Sequence, residues 1–139
     1  MKSVFLCLRA EISVLLAQGR GGGIVNIASV NAVRPQPMQG VYTATKHAVL
    51  GLTKAAAVEY AGDGIRVNAV CPGAIDTPML RNALHTRPRN VEQVTEKMSL
   101  LGRLGEPAEV ANAVRWLCSP EASFVVGHAM AVDAGYLAR

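Results

Sequence analysis

The stretch that decides the fold is Ile24-Val25-Asn26-Ile27-Ala28, and a run of the same kind follows downstream as Ile65-Arg66-Val67-Asn68-Ala69-Val70. Both are short, nearly continuous apolar runs of the type that forms buried strands. Residues 41–60, which lie between them, have the pattern of a helix. Strands that alternate with helices predict parallel βαβ units with right-handed crossovers. We therefore expect a parallel sheet that helices cover on both faces.

The flanking sequence predicts further elements in the same α/β pattern. In chain order they are a helix at 2–18, a glycine-rich break at 19–23, short helices near 78–84 and 91–98, a helix at 107–117 and a strand at 129–132. The first helix is predicted to be amphipathic because apolar residues recur in it at helical spacing. These residues are Val4, Phe5, Leu8, Ile12, Leu15 and Leu16. No repeat or linker interrupts the pattern, so we predict one domain over residues 1–139.

Composition excludes several classes of protein. Hydrophobic residues make up 50% of the 139 residues and charged residues 17%, which is typical of a globular domain and not of a disordered chain. The net charge is +4, and the basic residues are scattered apart from one cluster at Arg81, His85, Arg87 and Arg89. A nucleic-acid site needs a basic stripe on a recognisable module. We therefore expect no nucleic-acid partner and interpret the cluster as a solvated loop.

The cysteines and the N-terminal residues bear on location. Cys7, Cys71 and Cys118 lie in apolar stretches without metal-ligand spacing, and they predict reduced, buried thiols in a cytoplasmic protein. No apolar run reaches the length of a membrane span. Arg9 and Glu11 interrupt the one stretch that could pass for a signal peptide, so a packed helix is expected there. We predict a cytoplasmic protein with no membrane partner.

Three separate segments carry candidate chemistry at one edge of the predicted sheet. Ser29 follows the first strand, and Pro72-Gly73 follows the second. Tyr42 and Lys46 stand four residues apart on the intervening helix, so their side chains share a face with roughly 5–6 Å between Cβ atoms. A cation that close lowers the pKa of a tyrosine from about 10, which makes the phenol a usable proton donor and acceptor. Ligands of open α/β sheets bind beyond the strand ends, so these residues predict an active site there.

These residues belong to a pattern that spans nearly the whole chain. Its pieces are Ile24-Val25-Asn26-Ile27-Ala28-Ser29, Tyr42-x-x-x-Lys46, Ile65-Arg66-Val67-Asn68-Ala69-Val70-Cys71-Pro72-Gly73, Thr77, Gly105-Glu106-Pro107-Ala108-Glu109-Val110-Ala111 and Val132-Asp133-Ala134-Gly135. In this order they closely resemble the second half of the short-chain dehydrogenase/reductase family. The resemblance implies a partial Rossmann-like, doubly wound parallel sheet of about three strands, with the N-terminal half of the fold absent. It also implies an NAD or NADP cofactor and hydride transfer between its nicotinamide and a small-molecule alcohol or carbonyl substrate.

The resemblance further implies roles for individual residues. Tyr42 would be the general acid/base, Ser29 would hold the substrate oxygen, and Lys46 would bind the nicotinamide ribose and lower the pKa of Tyr42. The residues that would hold the nicotinamide end of the cofactor are Pro72, Gly73, the backbone at Ile75 and the hydroxyl of Thr77. Residues 78–100 correspond to the family's substrate lid. The side chains that could face substrate, with an ordinary loop role equally open for each, are Asn31, Arg34 and the basic cluster at 81–89.

Two departures from the family pattern change what we expect. The family's last strand ends in Asp-Gly-Gly, but Ala134 stands at the second position here and predicts an altered turn away from the catalytic residues. The glycine-rich dinucleotide-binding turn has no counterpart, because residues 19–23 follow a helix and precede a strand. By the resemblance, the family's catalytic Asn would fall just before Met1, and the residue that selects NAD or NADP would also lie outside the chain. One edge of the sheet should then be bare or covered by something outside this sequence.

Other functions stay open at this point. A chain without the dinucleotide half could be a catalytically inactive fragment that acts only as an interaction or assembly module. Nucleic-acid binding, suggested by the net charge alone, is the weakest alternative. Small residues on helix 41–60 suit either core packing or the close approach of another helix, and they are Ala44, Ala48, Gly51 and Ala55. Because the resembled family forms a dimer through this helix and the one before it, we predict a homo-oligomer, a dimer or tetramer, through helices 41–60 and 2–18.

Overall fold

The structure, a computed structural model, describes residues 1–86 and 90–139. Helices and strands alternate within these ranges as the sequence predicts. The helices are α1 (Lys2–Gln18), α2 (Gly40–Tyr60), α3 (Pro78–His85), α4 (Val91–Met98) and α5 (Pro107–Cys118). The strands are β1 (Gly22–Ile27), β2 (Ile65–Pro72) and β3 (Ala129–Val132). Short 3₁₀ turns lie at Val30–Ala32, Ala61–Asp63, Pro120–Ala122 and Tyr136–Ala138.

The strands form one parallel sheet in the order β1-β2-β3. Ile24 of β1 lies opposite Val67 of β2, and Ala69 of β2 lies opposite Ala129 of β3. In the part of the chain that the structure describes, β1 pairs with β2 alone, so its outer edge is bare. The predicted three-stranded parallel α/β sheet is confirmed.

The central strand β2 is buried because helices cover both of its faces. Ile65, Val67 and Ala69 point to one face, where two apolar clusters pack beneath α1 and α2. The alternate residues of the strand point to the other face. There the Arg66 side chain meets the carboxyl end of α5, whose Leu117 is fully buried. This is the doubly wound arrangement that near-continuous apolar strands predict.

Two polar side chains of β2 position the segment that leads into β3. Arg66 Nη1 donates hydrogen bonds to Leu117 O at 2.7 Å and Ala122 O at 3.0 Å, and so binds carbonyls that the end of a helix leaves free. Asn68, which is fully buried, donates to Val125 O at 2.8 Å and accepts from His128 N at 2.9 Å. These bonds align the chain before it enters β3.

The first helix is less amphipathic than the sequence predicts. Leu8 and Ile12 are buried, but Phe5 and Leu16 are 47% and 43% exposed. With 3.6 residues per turn, these two lie at the margin of the apolar stripe and not at its centre. The prediction of a buried apolar face is therefore wrong for them.

Two of the three cysteines also differ from the prediction. All three are free thiols, and Cys71 is buried. Cys7 and Cys118 are exposed, because the first lies on the solvent side of α1 and the second ends α5 at the surface. The prediction of buried thiols is wrong for these two.

Several boundaries shift by a few residues. β1 begins at Gly22 instead of Ile24, and β2 continues to Pro72 instead of ending at Val70. Gly19, with φ 62°, ends α1 in the left-handed conformation that glycine adopts without strain. The helices near 78–84 and 91–98 are present, whereas Arg87 and Arg89 of the basic cluster lie outside the described residues. Across residues 1–86 and 90–139, none of the helices combines the length and the apolar character that crossing a membrane requires.

The turn after β3 accommodates alanine in a left-handed backbone. Ala134 has φ 50° and Gly135 has φ 79°. The Asp133 carboxylate accepts hydrogen bonds of 2.9 Å from the backbone N–H groups of Gly135 and Leu137, which hold the turn. The departure at Ala134 therefore appears as backbone strain at one residue.

Candidate active site

Ser29 lies where β1 ends. Ala28 N still donates to Val70 O at 2.8 Å, and Ser29 then begins the 3₁₀ turn Val30–Ala32. The side chain is buried, and its Oγ accepts a hydrogen bond of 3.2 Å from Asn31 N. Because this bond uses a lone pair of the oxygen, the hydroxyl proton remains available for a ligand oxygen.

Tyr42 and Lys46 lie one turn apart at the start of α2, as their spacing predicts. Lys46 Nζ is 5.7 Å from the centroid of the Tyr42 ring. The same nitrogen donates a hydrogen bond of 2.9 Å to the carbonyl of Ile27, the last residue of β1. Burial lowers the pKa of Lys46 from its ordinary value, and the nearby Cys71 opposes this effect. The lysine head is thus fixed between the strand end and the phenol.

The segment after β2 supplies the opposite side of the site. Gly73 packs so closely on β3 that a Cβ atom would lie 2.8 Å from the Cα of Asp133. Ile75 pairs with Gly105 in an isolated bridge. Thr77 Oγ1 donates to Ile75 O at 3.3 Å and accepts from Leu80 N at 3.3 Å, so this threonine begins α3.

These segments surround one open cleft of about 830 Å³. The candidate residues of the sequence prediction that line it are Ser29, Asn31, Tyr42, Lys46, Pro72, Gly73, Ile75 and Thr77. Small-molecule sites typically have volumes of roughly 300–1,000 Å³. The structure therefore brings all eight candidates together in a cleft of suitable size.

Two hydrogen bonds donated by side-chain amides hold the loop between Ser29 and Tyr42. Asn31 Nδ2 donates to Gln39 Oε1 at 2.6 Å, and Gln39 precedes the first residue of α2. This bond joins the turn that contains Ser29 to the helix that contains Tyr42. Gln36 Nε2 donates to Met98 Sδ at 3.4 Å, which connects the same loop to α4.

The sequence pattern does not identify much of the cleft lining. The additional lining residues include Gln36, Met38 and Gln39 from the loop, Met79, Leu80 and Leu84 from α3, and Val94 and Met98 from α4. The apolar residues of α3 and α4 recur at helical spacing, and this signal could have assigned them to an inward face. No local signal distinguishes Gln36 or Gln39, since tertiary packing sets their positions.

The basic residues that could have faced substrate are engaged elsewhere. Arg34 Nη1 donates to Tyr136 O at 3.2 Å, and its guanidinium lies 4.9 Å from the centroid of that ring. Arg81 makes two hydrogen bonds of 2.7 Å to the Asp76 carboxylate, and His85 is exposed. None of the three lines the cleft, which favours the ordinary loop role that the sequence left open for each of them.

A buried thiol lies behind the site. Cys71 is fully buried on β2, and burial raises the pKa of its thiol, while a hydrogen bond from the backbone of Ser29 acts in the opposite direction. The contact supports the backbone of Ser29 from the core side.

Comparison with known proteins decides the family. The family model described as enoyl-(acyl carrier protein) reductase matches residues 1–137, which is nearly the whole chain. The chain belongs to the short-chain dehydrogenase/reductase family. The resemblance drawn from the motifs is thereby confirmed.

Individual members of the family are similar over almost all of the chain. An A-factor type gamma-butyrolactone 1'-reductase (1S-forming) of Streptomyces virginiae is 43% identical over 136 residues, which are 98% of this chain and 52% of that protein. A 2,5-dichloro-2,5-cyclohexadiene-1,4-diol dehydrogenase of Sphingobium indicum is 46% identical over 134 residues, 96% of this chain and 53% of that protein. The structure of a putative 2-deoxy-d-gluconate 3-dehydrogenase from Agrobacterium tumefaciens with bound NADP gives a TM-score of 0.91 at 40% identity, covering 100% of this chain and 56% of that one. The chain spans about half the length of the curated relatives it matches.

The short-chain dehydrogenase/reductase family uses NAD or NADP, and the residues of this cleft fit one end of such a cofactor. Lys46 and Thr77 offer an ammonium and a hydroxyl on the same cleft, beside the closely packed Gly73. These groups suit a nicotinamide and its ribose. No strand among the described residues is followed by a glycine-rich turn that opens a helix, so the fit concerns the nicotinamide end only.

Proposed function

We propose that this chain contains the catalytic part of an NAD(P)-dependent oxidoreductase that interconverts a small-molecule alcohol and its ketone. The observation that supports this most strongly is the meeting of Ser29, Tyr42 and Lys46 in one cleft at the end of β1. Together they offer a hydrogen-bond donor, a proton donor and a fixed cation. The reductase and dehydrogenase names of the two curated relatives agree with this reaction class.

The chain's own residues would handle the substrate oxygen and its proton. In the reducing direction, the carbonyl oxygen would accept hydrogen bonds from Ser29 and Tyr42, and Tyr42 would then transfer its phenolic proton to it. The reduced cofactor, when bound, supplies the hydride that adds to the carbonyl carbon. Lys46, anchored on Ile27 O at 2.9 Å, would stabilise the phenolate that remains. In the oxidising direction, Tyr42 would take the proton back from the alcohol.

The cofactor contacts that we propose lie at the nicotinamide end. The ring would lie against Pro72, Gly73 and the backbone at Ile75, with the Thr77 hydroxyl beside it, since all four line the cleft. Lys46 would contact the ribose. These groups meet only the part that NAD and NADP share, so they favour neither cofactor.

Substitution of the tyrosine tests the proposed chemistry. Tyr42→Phe keeps the ring and removes the proton, so we expect turnover to fall by about 10²–10⁴-fold in the chain supplied with the dinucleotide-binding half of the fold. Tyr60→Phe is the matched control, because Tyr60 lies at the far end of α2 against the core. Unchanged turnover in Tyr42→Phe would exclude Tyr42 as the acid/base.

We also propose a homo-oligomer, a dimer or tetramer, with α1 and α2 at its interface. Ala44, Gly51 and Ala55 are exposed, so core packing does not account for them. An added Cβ at Gly51 would meet no atom within 4 Å, and Val58 on the same helix is 86% exposed. Sedimentation at micromolar concentration should show a dimer or larger species. A clean monomer would contradict the proposal.

A second candidate function is an assembly module without catalysis of its own. The observation in its favour is the bare edge of β1, where the Ile27 carbonyl is bonded by the Lys46 side chain. A stoichiometric complex with the dinucleotide-binding half that shows no turnover would favour this candidate. For either function we propose a cytoplasmic location, which the three free thiols support.

A further inference from the structure

The part of the cleft beyond Tyr42 has apolar side chains from three separate elements. They are Met38 and Val41 in and just after the loop before α2, Met79, Leu80 and Leu84 on α3, and Val94 and Met98 on α4. Met38 is 89% exposed and Met79 is 75% exposed, so these side chains face open space at the cleft. Exposed apolar surface concentrated at a concave site is typical of ligand binding. Methionine side chains adapt to ligands of varied shape because they are flexible and polarisable.

Charged groups are nearly absent from this surface. Of the described residues that line the cleft, Lys46 alone is charged, and its ammonium already donates to Ile27 O at 2.9 Å. The nearby Arg81 binds the Asp76 carboxylate through two hydrogen bonds. Arg34 binds backbone carbonyls of the C-terminal segment. An anionic group entering the cleft would lose water, which is costly, and among the described lining residues it would find no cation besides Lys46.

Besides the hydroxyl groups of Ser29, Tyr42 and Thr77, the polar side chains at the cleft are neutral amides. Asn31, Gln36 and Gln39 line it together with the apolar residues. Asn31 uses its Nδ2 in the 2.6 Å bond to Gln39 Oε1, which leaves the Asn31 carbonyl oxygen and the Gln39 amide group with further capacity. Such groups suit a neutral hydroxyl or carbonyl and do not neutralise a charge.

We infer that this site takes an uncharged, largely apolar alcohol or ketone as its substrate, and not a phosphorylated or carboxylated one. The inference rests on the proposed function and names the substrate class of the same site. The apolar surface of α3 and α4 covers the body of the substrate, while Ser29 and Tyr42 bind its oxygen.

Two probes of the same ring size test this class without cofactor or turnover. Cyclohexanone is a compact apolar ring with one carbonyl, and cyclohexanecarboxylate has the same ring with an anionic group. Titration of the chain with cyclohexanone, followed by NMR of the methionine methyl groups, should shift the methyl resonances of Met79 and Met98 saturably. We expect the ketone to bind at least about tenfold more tightly than the carboxylate. Equal or tighter binding of the carboxylate, or no shift at either methionine with the ketone, would overturn the inference.

A charge placed on the cleft gives the converse test. Met79→Arg should shift the preference by about tenfold toward the carboxylate, because it introduces a cation beside the ring. Phe124→Arg adds the same charge at an exposed position between α5 and β3 that does not line the cleft, and it should leave the preference unchanged. Equal effects of the two variants would overturn the assignment of α3 to the substrate site. If Tyr42→Phe had normal turnover while the chain still bound the ketone more tightly than the carboxylate, only the proposed reaction would be overturned.

Discussion

Replacing Gly73 with alanine should destabilise the chain by about 2–4 kcal/mol, because the structure has no room for the added methyl group. The new Cβ would lie 2.8 Å from the Cα of Asp133, 3.0 Å from its Cβ and 3.2 Å from its carbonyl oxygen, whereas ordinary contacts begin near 3.4 Å. The closest of these atoms is backbone, which cannot rotate away. Gly73 N also donates to Val132 O at 2.9 Å, so the ends of β2 and β3 must separate and strain this bond.

The magnitude follows from these two effects. Overpacking of a close contact costs about 1–3 kcal/mol, and a strained backbone hydrogen bond adds about 1 kcal/mol. With a urea slope of about 2 kcal/mol per molar, in the middle of the range for small proteins, the midpoint for Gly73→Ala should fall by roughly 1–2 M.

A second glycine, Gly62 in the turn Ala61–Asp63, provides the matched control. It is exposed, and an added Cβ would meet no atom within 4 Å. Gly62→Ala should therefore raise stability by about 0.4–1 kcal/mol, because alanine lowers the conformational entropy of the unfolded chain. If Gly73→Ala unfolds at the wild-type midpoint with an unchanged slope, the close approach of β2 and β3 at the rim of the cleft is refuted.

Three further substitutions test other parts of the structure. Ala134→Gly should stabilise the chain by about 0.5–1 kcal/mol, because the relief of backbone strain at φ 50° outweighs the greater entropy of glycine in the unfolded chain. An unchanged urea midpoint would contradict the left-handed backbone at this residue. Asn68→Leu should cost about 2–5 kcal/mol in the same assay, because it leaves a buried N–H and a buried C=O unpaired, and a loss below about 1 kcal/mol would argue against these bonds. Glu109→Gln should lower stability above about pH 4.5 and leave it nearly unchanged below about pH 2. Hydrogen bonds from Arg103 and the backbone of Glu106 lower the pKa of Glu109 from 4.5 to about 2, so the folded state binds fewer protons than the unfolded state between these values. The stabilisation by ionised Glu109 is therefore complete above pH 4.5 and lost as the pH falls through 2. Between pH 4.5 and 2, the thermal midpoint of Glu109→Gln should depend less steeply on pH than that of the wild type. An unchanged slope would contradict the ion pair between Arg103 and Glu109.

The elements that the sequence predicts well are those with a strong periodic signal. The strands at β2 and β3 and the helices α2, α3 and α4 lie within about two residues of their predicted positions, which is the usual precision of boundaries. β1 starts earlier than predicted because Gly22 and Gly23 carry no strand signal and pair only through the register of β2. Exposure on α1 was predicted less well, since helical spacing does not show how wide a stripe the sheet covers.

The candidate site was likewise only partly predictable from the sequence. Ser29, Tyr42 and Lys46 could be predicted because their spacing along one strand–helix unit places them at one edge of the sheet. The cleft lining on α3 and α4 depends on tertiary packing that no local pattern specifies. Arg34 shows the limit most clearly, because its partner Tyr136 lies 102 residues further along the chain.

The nicotinamide half-site is tested most directly by calorimetric titration of the chain with NADH, reduced nicotinamide mononucleotide and adenosine monophosphate. If Lys46, Thr77 and the segment around Gly73 hold only the nicotinamide end, NADH and the mononucleotide should both bind saturably, with dissociation constants within about tenfold of each other. Lys46→Met should weaken both, and adenosine monophosphate should not bind. Absence of saturable binding by either nicotinamide compound, or binding of adenosine monophosphate as tight as that of NADH, would contradict the assignment of this cleft.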